Sequence, residues 1–165
     1  MHQVRFNKDI LPKGITETAN NLYKSIVLDE LLVTILDVAL NLTQAECGSI
    51  MILDDKKGDL AIKVSRGLDQ DKIKSTSLKI GEGIAGVAAK ENTSFFISGL
   101  EGDNRIRHLL KRVDIKQSLV LPLSYQNRVL GVLNLHTKKE ENKIYENVNN
   151  LKNFSKLISV AIKSI

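Results

Sequence analysis

The two ends of the chain carry apolar residues at helical spacing. Spacings of three and four residues after Pro12 and Gly14 predict an amphipathic helix that Thr16 can cap. Its apolar residues are Ile15, Ala19, Leu22, Tyr23 and Ile26. The carboxylate of Asp29 can accept hydrogen bonds from the free amides of a following turn, so we expect a second, mostly buried helix to begin there and to continue through Leu42.

A third stretch of helical spacing runs from Ile144 to the last residue. Its apolar side consists of Ile144, Val148, Leu151, Leu157 or Ile158, Ala161 or Ile162, and Ile165. This spacing also fits a short coiled-coil seam. We therefore expect the terminal helices to expose apolar stripes that pair with a second copy of the chain.

Between these helices the pattern is that of strands. Alternating or continuous apolar runs bounded by turn residues predict strands at Ser49–Leu53, Leu60–Val64, Ser77–Ile80, Phe95–Ile97, Ser118–Leu123 and Val129–Leu135. A helix of small residues is expected over Ile84–Ala89, and a loop from Gly99 followed by a short helix over Arg105–Arg112. Pro122 has no amide proton, which predicts that it lies at an edge or a bulge.

The composition narrows the class of protein. With 165 residues, of which 42% are hydrophobic, the chain can build one core. We expect an N-terminal extension over residues 1–14 and one domain over residues 15–165. The short apolar runs and the polar start predict a cytoplasmic protein that does not bind a membrane. The net charge of +5 is scattered and only 4% of residues are aromatic, so we expect no direct binding of nucleic acid.

Several segments resemble the GAF domain family of sensory domains. Leu28-Asp29-Glu30-Leu31-Leu32 and Cys47-Gly48-Ser49-Ile50-Met51-Ile52-Leu53 are similar to the family's second helix and first strand. Gly81-Glu82-Gly83-Ile84-Ala85-Gly86-Val87-Ala88 resembles its most recognisable segment. Val64–Leu68 and the last two predicted strands complete the likeness. The resemblance implies an α+β sandwich, with a central antiparallel sheet of five to six strands and helices on both faces.

The glycines of that central segment have two interpretations. Gly81 and Gly83 can adopt positive φ, and Gly86 keeps a helix slim, so the chain can lay this helix closely over a sheet. We favour this packing role. The same letters fit a loose dinucleotide-binding pattern, but the required strand-helix-strand unit and downstream acidic residue are not convincing here.

A pocket is expected between the sheet and the helices that cover it. Arg105, Arg107 and His108 lie on the element expected to roof it, where a guanidinium and an imidazole can bind a small anionic metabolite. The alternative is a solvated basic helix face. Ser77, Phe96, Ser118 and Met51 are expected to line the cavity. Three separated histidines offer no metal motif, although haem or iron through His108 stays open because some family members carry such groups.

Three functional hypotheses remain. The resemblance favours a non-catalytic sensory domain that binds a small molecule and signals through its terminal helices to an attached kinase, cyclase or transcription-activator domain. A ligand-free dimerisation domain would fill its own pocket with Phe96, Met51 and Leu135. A small reductase is the third hypothesis. The single Cys47, expected in the core, argues against it, because the family's methionine sulfoxide reductases use several cysteines.

The identity of any cofactor is unknown. The cysteine of bilin-binding relatives is also missing, as is the Asn-Lys-Phe-Asp-Glu motif of cyclic-nucleotide-binding relatives.

Overall fold

A computed structural model describes residues 13–98 and 114–164 of the chain. In these residues six strands form one sheet in the order β3-β2-β1-β6-β5-β4, and neighbouring strands are antiparallel. The strands are β1 (Cys47–Asp54), β2 (Asp59–Arg66), β3 (Ser77–Lys79), β4 (Phe95–Ser98), β5 (Gln117–Tyr125) and β6 (Arg128–Thr137). The helices are α1 (Lys13–Thr43), α2 (Gln70–Ser75), α3 (Gly83–Glu91) and α4 (Val148–Ser164), with a 3-10 turn at Tyr145–Asn147. The predicted α+β fold class is confirmed.

The sheet separates two apolar layers. Because successive side chains of a strand point to opposite faces, each central strand contributes to both layers. On one face, which we call the helix-pair face, Ile50, Leu119 and Leu133 pack with residues of α1 and α4, among them Leu36 and Leu151. The other face, which we call the α3 face, packs against α3 and is formed by Met51, Phe95, Ile97, Val120 and Val132.

The first helix differs from the prediction. We expected two helices with a new start at Asp29, but α1 is one helix of 31 residues. Asp29 lies inside this helix and starts no new one, and its Oδ1 atom lies 3.0 Å from Nζ of Lys63 on β2. The sequence between Ile15 and Thr43 contains no Gly or Pro that would end the helix. The described side chains from Gly14 to Ile26 are exposed, so the first half of α1 stands clear of the sheet.

The last helix uses its apolar side within the chain. Ile144, Leu151 and Ile158 belong to the core of the helix-pair face, and Ile158 is 2% exposed. Leu157, the alternative position in the prediction, is 70% exposed, as Val160 is at 48%. Most of the stripe that we expected to be exposed for pairing is therefore packed against the chain's own sheet, which corrects this part of the prediction.

The tight β5–β6 hairpin follows its turn chemistry. Gln126 and Asn127 have φ of 48° and 63°, as a two-residue turn with both central residues left-handed requires. Arg128 already belongs to β6. Pro122 pairs with Val132 of β6, whereas the described pairing between β4 and β5 ends at Val120, and a register irregularity follows Leu123. The expectation that Pro122 lies at an edge or bulge is thus confirmed.

The glycine-rich segment before α3 has a packing role. A Cβ atom on Gly86 would lie 2.5 Å from the carbonyl oxygen of Lys79, closer than real contacts allow. Gly81 and Gly83 have φ of 89° and 60°, a left-handed region that a side chain disfavours. These residues let α3 lie directly against the sheet. Among the described helices, none is long and apolar enough to cross a membrane.

Candidate functional site

Two polar pairs interrupt the apolar α3 face. Asn134 donates a hydrogen bond of 3.3 Å from its Nδ2 atom to Oγ of Ser49. Oγ of Ser118 and Nδ1 of His136 form a second hydrogen bond of 2.9 Å. Ser49, Ser118 and Asn134 are only 4%, 0% and 6% exposed. We call these four residues the polar row.

Strand register brings the polar row together. Asn134 and His136 are two residues apart on β6, so they share one face of the sheet. Ser49 on β1 lies directly opposite Asn134, and Ser118 on β5 lies directly opposite His136. Both bonds are therefore cross-strand contacts between direct neighbours, the closest side-chain pairs that a sheet offers.

The surroundings of the polar row are strongly apolar. Met51, Ile97, Val120 and Val132 are all at most 3% exposed on the same face. A buried donor or acceptor without a partner costs about 1–3 kcal/mol, whereas two apolar residues of the same shape in place of a bonded pair are nearly neutral. Packing alone therefore gives no reason for four polar side chains here. A mostly apolar face with a few converging polar groups is the usual composition of a small-molecule site.

His136 provides the titratable group of the row. Its ring is half-buried, and Nδ1 is bonded to Ser118, so Nε2 is the other ring atom able to donate or accept a hydrogen bond. Which nitrogen carries the proton depends on the tautomer. Across the sheet, Sγ of Cys47 lies 3.5 Å from the carbonyl oxygen of His136. Cys47 is buried and forms no disulfide, which confirms the expected core position.

The predicted lining residues fall in different places. Met51 and Ser118 lie on the α3 face, as a shared pocket requires. Phe96 packs against the core of the helix-pair face, with its ring centroid 5.4 Å from that of Tyr145, so it lies on the opposite face from Met51 and Ser118. Ser77 is exposed on the edge strand β3. Arg105, Arg107 and His108 lie outside the described residues.

Part of the polar row was not predicted from the sequence. Ser49 and Asn134 received no site role, and His136 was only noted as one of three separated histidines. A signal was available for Asn134, because it is a single polar residue inside the apolar run Val129–Leu135. In the described ranges, no group of three or more His, Cys, Asp or Glu side chains is placed to hold a metal ion.

Comparison with known proteins gives the class of the fold. The sequence model of the GAF domain matches residues 26–163, and the chain belongs to the GAF domain family. No curated protein matches the chain.

Solved structures agree with this assignment. One similar structure is the GAF domain from an Acinetobacter phosphoenolpyruvate-protein phosphotransferase, with 18% identity, a TM-score of 0.69, and coverage of 93% of this chain and 95% of that one. The type II free methionine-R-sulfoxide reductase from Thermoplasma acidophilum has 14% identity, a TM-score of 0.69, and coverage of 86% and 96%. A Staphylococcus aureus NreA protein mutated in its nitrate binding site has 20% identity, a TM-score of 0.56, and coverage of 69% and 87%. At these identities the likeness shows the fold.

Proposed function

We propose that this GAF domain is a non-catalytic sensor that binds a small polar molecule on the α3 face. The observation that carries the proposal is the polar row, four hydrogen-bonding side chains on an otherwise apolar face. Ser118 and His136 offer a hydroxyl and an imidazole, and Ser49 and Asn134 offer a hydroxyl and an amide. The NreA protein, which has the same fold, has a nitrate binding site, and a small polar ligand here is consistent with that.

The same strands supply a route from ligand to helices. Ser118 on the α3 face is followed by Leu119, whose side chain packs with α1 and α4 on the helix-pair face. Asn134 is likewise flanked by Leu133 and Leu135, both in that core. A ligand that shifts β5 or β6 by a fraction of an ångström would therefore change the packing of both terminal helices, which are the elements available for relay to an attached output domain.

Dimerisation through α1 forms part of this proposal. Ile15, Ala19, Leu22 and Ile26 are all exposed and follow a spacing of four, three and four residues, as the a and d positions of a coiled coil do. The exposed part of α1, from Gly14 to Ile26, stands clear of the sheet and would be only marginally stable in water by itself, so a partner helix would stabilise it. We propose that two copies pair along this stripe. The GAF domain of the phosphotransferase suggests an attached effector in the full-length protein, such as a kinase, a cyclase or a transcription activator.

A reductase function has less support. One solved structure of this fold is a methionine sulfoxide reductase, and that chemistry uses a thiol. The only cysteine of this chain, Cys47, is 5% exposed, so access to a substrate and to a resolving thiol is poor. A reductase would lose its turnover when Cys47 is replaced by Ser, whereas a sensor would keep its ligand affinity.

The ligand-free alternative also loses support. It required Phe96, Met51 and Leu135 to fill one cavity, but Phe96 and Leu135 pack on the helix-pair face. Of the three, Met51 alone belongs to the α3 face. The polar row would then have no role that an apolar set of side chains could not fill.

Native mass spectrometry of the protein as purified, with an absorbance scan, tests the proposal without a guess at the ligand. We expect a co-purifying mass that is lost in Ser118→Ala and retained in Ser77→Ala, the same change at an exposed position of the edge strand. Equal loss in both variants, or no bound mass in the wild type after gentle purification and after incubation with a cell extract of small molecules, contradicts the proposal.

A further inference from the structure

A cavity lies at the edge of the sheet, beside α4 rather than on the α3 face. We call it the edge groove, and its residues include Asn92, Ser94, Pro122, Asn149, Lys152 and Lys156. It opens where the pairing of β4 with β5 stops short of Pro122. Its volume is about 630 Å³, within the range of about 300–1,000 Å³ that small-molecule sites occupy.

The charged residues described along the edge groove are all positive. Lys152 and Lys156 are four residues apart on α4, so both project from the same side of the helix. Within the described part of the chain neither lysine has an ion-pair partner, and the groove is lined by no Asp or Glu. Like charges at this spacing repel one another on a helix, and a bound anion would remove that repulsion.

The wall opposite α4 is held in place before any ligand binds. Asn92 ends α3 with a φ of 49°, and its Nδ2 atom donates to Oδ1 of Asn127 over 3.3 Å. The hydroxyl of Ser124 donates to Oδ1 of Asn92. These bonds fix the segment that joins α3 to β4 against the β5–β6 turn. A fixed wall lowers the ordering cost of binding.

We propose that the edge groove binds a small molecule that carries phosphate or carboxylate groups. The ammonium groups of Lys152 and Lys156 bind the negatively charged oxygens of the ligand, since ammonium groups are common ligands of such oxygens. The amides of Asn149 and Asn153 add donors, and Leu121 and Pro122 offer apolar surface to a carbon skeleton. The site is separate from the polar row and does not depend on it.

A small molecule fits this groove better than an acidic peptide does. A peptide that extends the sheet needs backbone donors along the open edge, and Pro122 has none. The segment from Asn92 to Ser94 also lies along that edge. A bound anion would contact both this segment and α4, so it would tie the last helix to the sheet and bias any signal that passes through that helix.

The test compares two double variants of equal charge. Lys152→Gln/Lys156→Gln removes the lysines of the groove, and Lys56→Gln/Lys57→Gln removes a pair from the exposed β1–β2 turn. Inorganic phosphate and citrate are titrated at constant ionic strength, with binding followed by amide NMR shifts and by the thermal unfolding midpoint. A pentaglutamate peptide serves as a third probe.

We expect phosphate, citrate or both to shift the amide signals of Ser94, Asn149 and Asn153 in the wild type and in the turn variant. The anion that binds more tightly identifies whether the groove prefers phosphate or carboxylate groups. The groove variant should bind at least about tenfold more weakly, because each lost charge-assisted hydrogen bond is worth that factor. Equal responses of the two variants, or shifts with pentaglutamate alone, would overturn the proposal.

Discussion

The amide of Asn134 reaches across the sheet to the hydroxyl of Ser49, 3.3 Å away and 85 residues earlier in the chain. Both side chains are almost fully buried among apolar neighbours. A pair of this kind adds little net stability, because each group gave up its bonds to water on folding. Its presence on the α3 face is the reason to regard that face as a binding surface.

Replacement of Ser49 and Asn134 tests whether this pair is needed for the stability of the fold. Ser49→Ala leaves the buried amide of Asn134 without its partner, so we expect the free energy of unfolding to fall by about 1–3 kcal/mol. The double variant Ser49→Ala/Asn134→Leu removes both polar groups and should be at least as stable as Ser49→Ala. Urea denaturation of Ser49→Ala, Asn134→Leu and the double variant measures this coupling. A double variant less stable than both single variants would mean that the pair is structural.

Close approach of α3 to the sheet predicts a strong effect at Gly86. A Cβ atom there would lie 2.5 Å from the carbonyl oxygen of Lys79, so Gly86→Ala should lower the free energy of unfolding by about 1–3 kcal/mol. Gly14→Ala is the matched control, since nothing lies within 4 Å of its Cβ position and α1 is helical there. Its stability should be unchanged or raised by up to about 1 kcal/mol. Similar losses in both variants would refute the packing role of Gly86.

The carboxylate of Glu46 predicts a pH dependence. The backbone amide of Lys138 donates to it over 2.8 Å and the hydroxyl of Thr137 over 3.2 Å, and these bonds hold the pKa of Glu46 below its ordinary value of 4.5. A lowered folded-state pKa contributes stability above the unfolded-state value, and that stability is lost as the pH falls through the folded-state value.

Glu46→Gln should therefore have a lower unfolding midpoint than the wild type near neutral pH, and the difference should shrink as the pH falls below 4.5. Glu141→Gln, at an exposed position before the last helix, is the matched control and should show no such trend. Thermal unfolding over a pH series measures both. A midpoint difference for Glu46→Gln that stays constant through acid would contradict the assignment.

Local patterns were sufficient to predict most of the fold. Alternating apolar residues and left-handed turn residues placed the hairpins, and small residues placed α3 against the sheet. The helix start at Asp29 was wrong because no Gly or Pro lies between Ile15 and Asp29 to end the first helix, so α1 continues through this position and Asp29 pairs with Lys63. Similarly, a period of three and four residues marks the apolar side of α4 but does not say whether a second chain or the chain's own sheet covers it.

The candidate site was harder to predict, because it depends on register. Ser118 was expected in the cavity, yet its partner His136 becomes visible only when β5 and β6 are aligned. Phe96 was expected in the same cavity as Ser118 but packs on the opposite face, and a strand of four residues such as β4 does not indicate which of its side chains point to which face. Ser49 and Asn134 are single polar residues in apolar runs, and only their pairing gives them a shared role.

The exposed stripe of α1 predicts a dimer that charge can break. Leu22→Lys/Ile26→Lys places two like charges per chain in the proposed seam, so the dimer should dissociate at concentrations where the wild type stays paired. Asn20→Lys/Asn21→Lys adds the same charge on the outer side of the helix and should remain dimeric. Sedimentation equilibrium measures the mass of each variant. A monomeric wild type, or dimers of equal strength in both variants, would contradict the role of this stripe.

The most direct test of the central claim is a crystal structure of the protein as purified, with the region around the polar row inspected for a bound molecule. Our account predicts electron density for a small polar ligand on the α3 face, within hydrogen-bonding distance of Ser118, His136 or Asn134. Crystals of gently purified protein that show no electron density on the α3 face beyond the protein's own, or a ligand that contacts none of these residues, would contradict it.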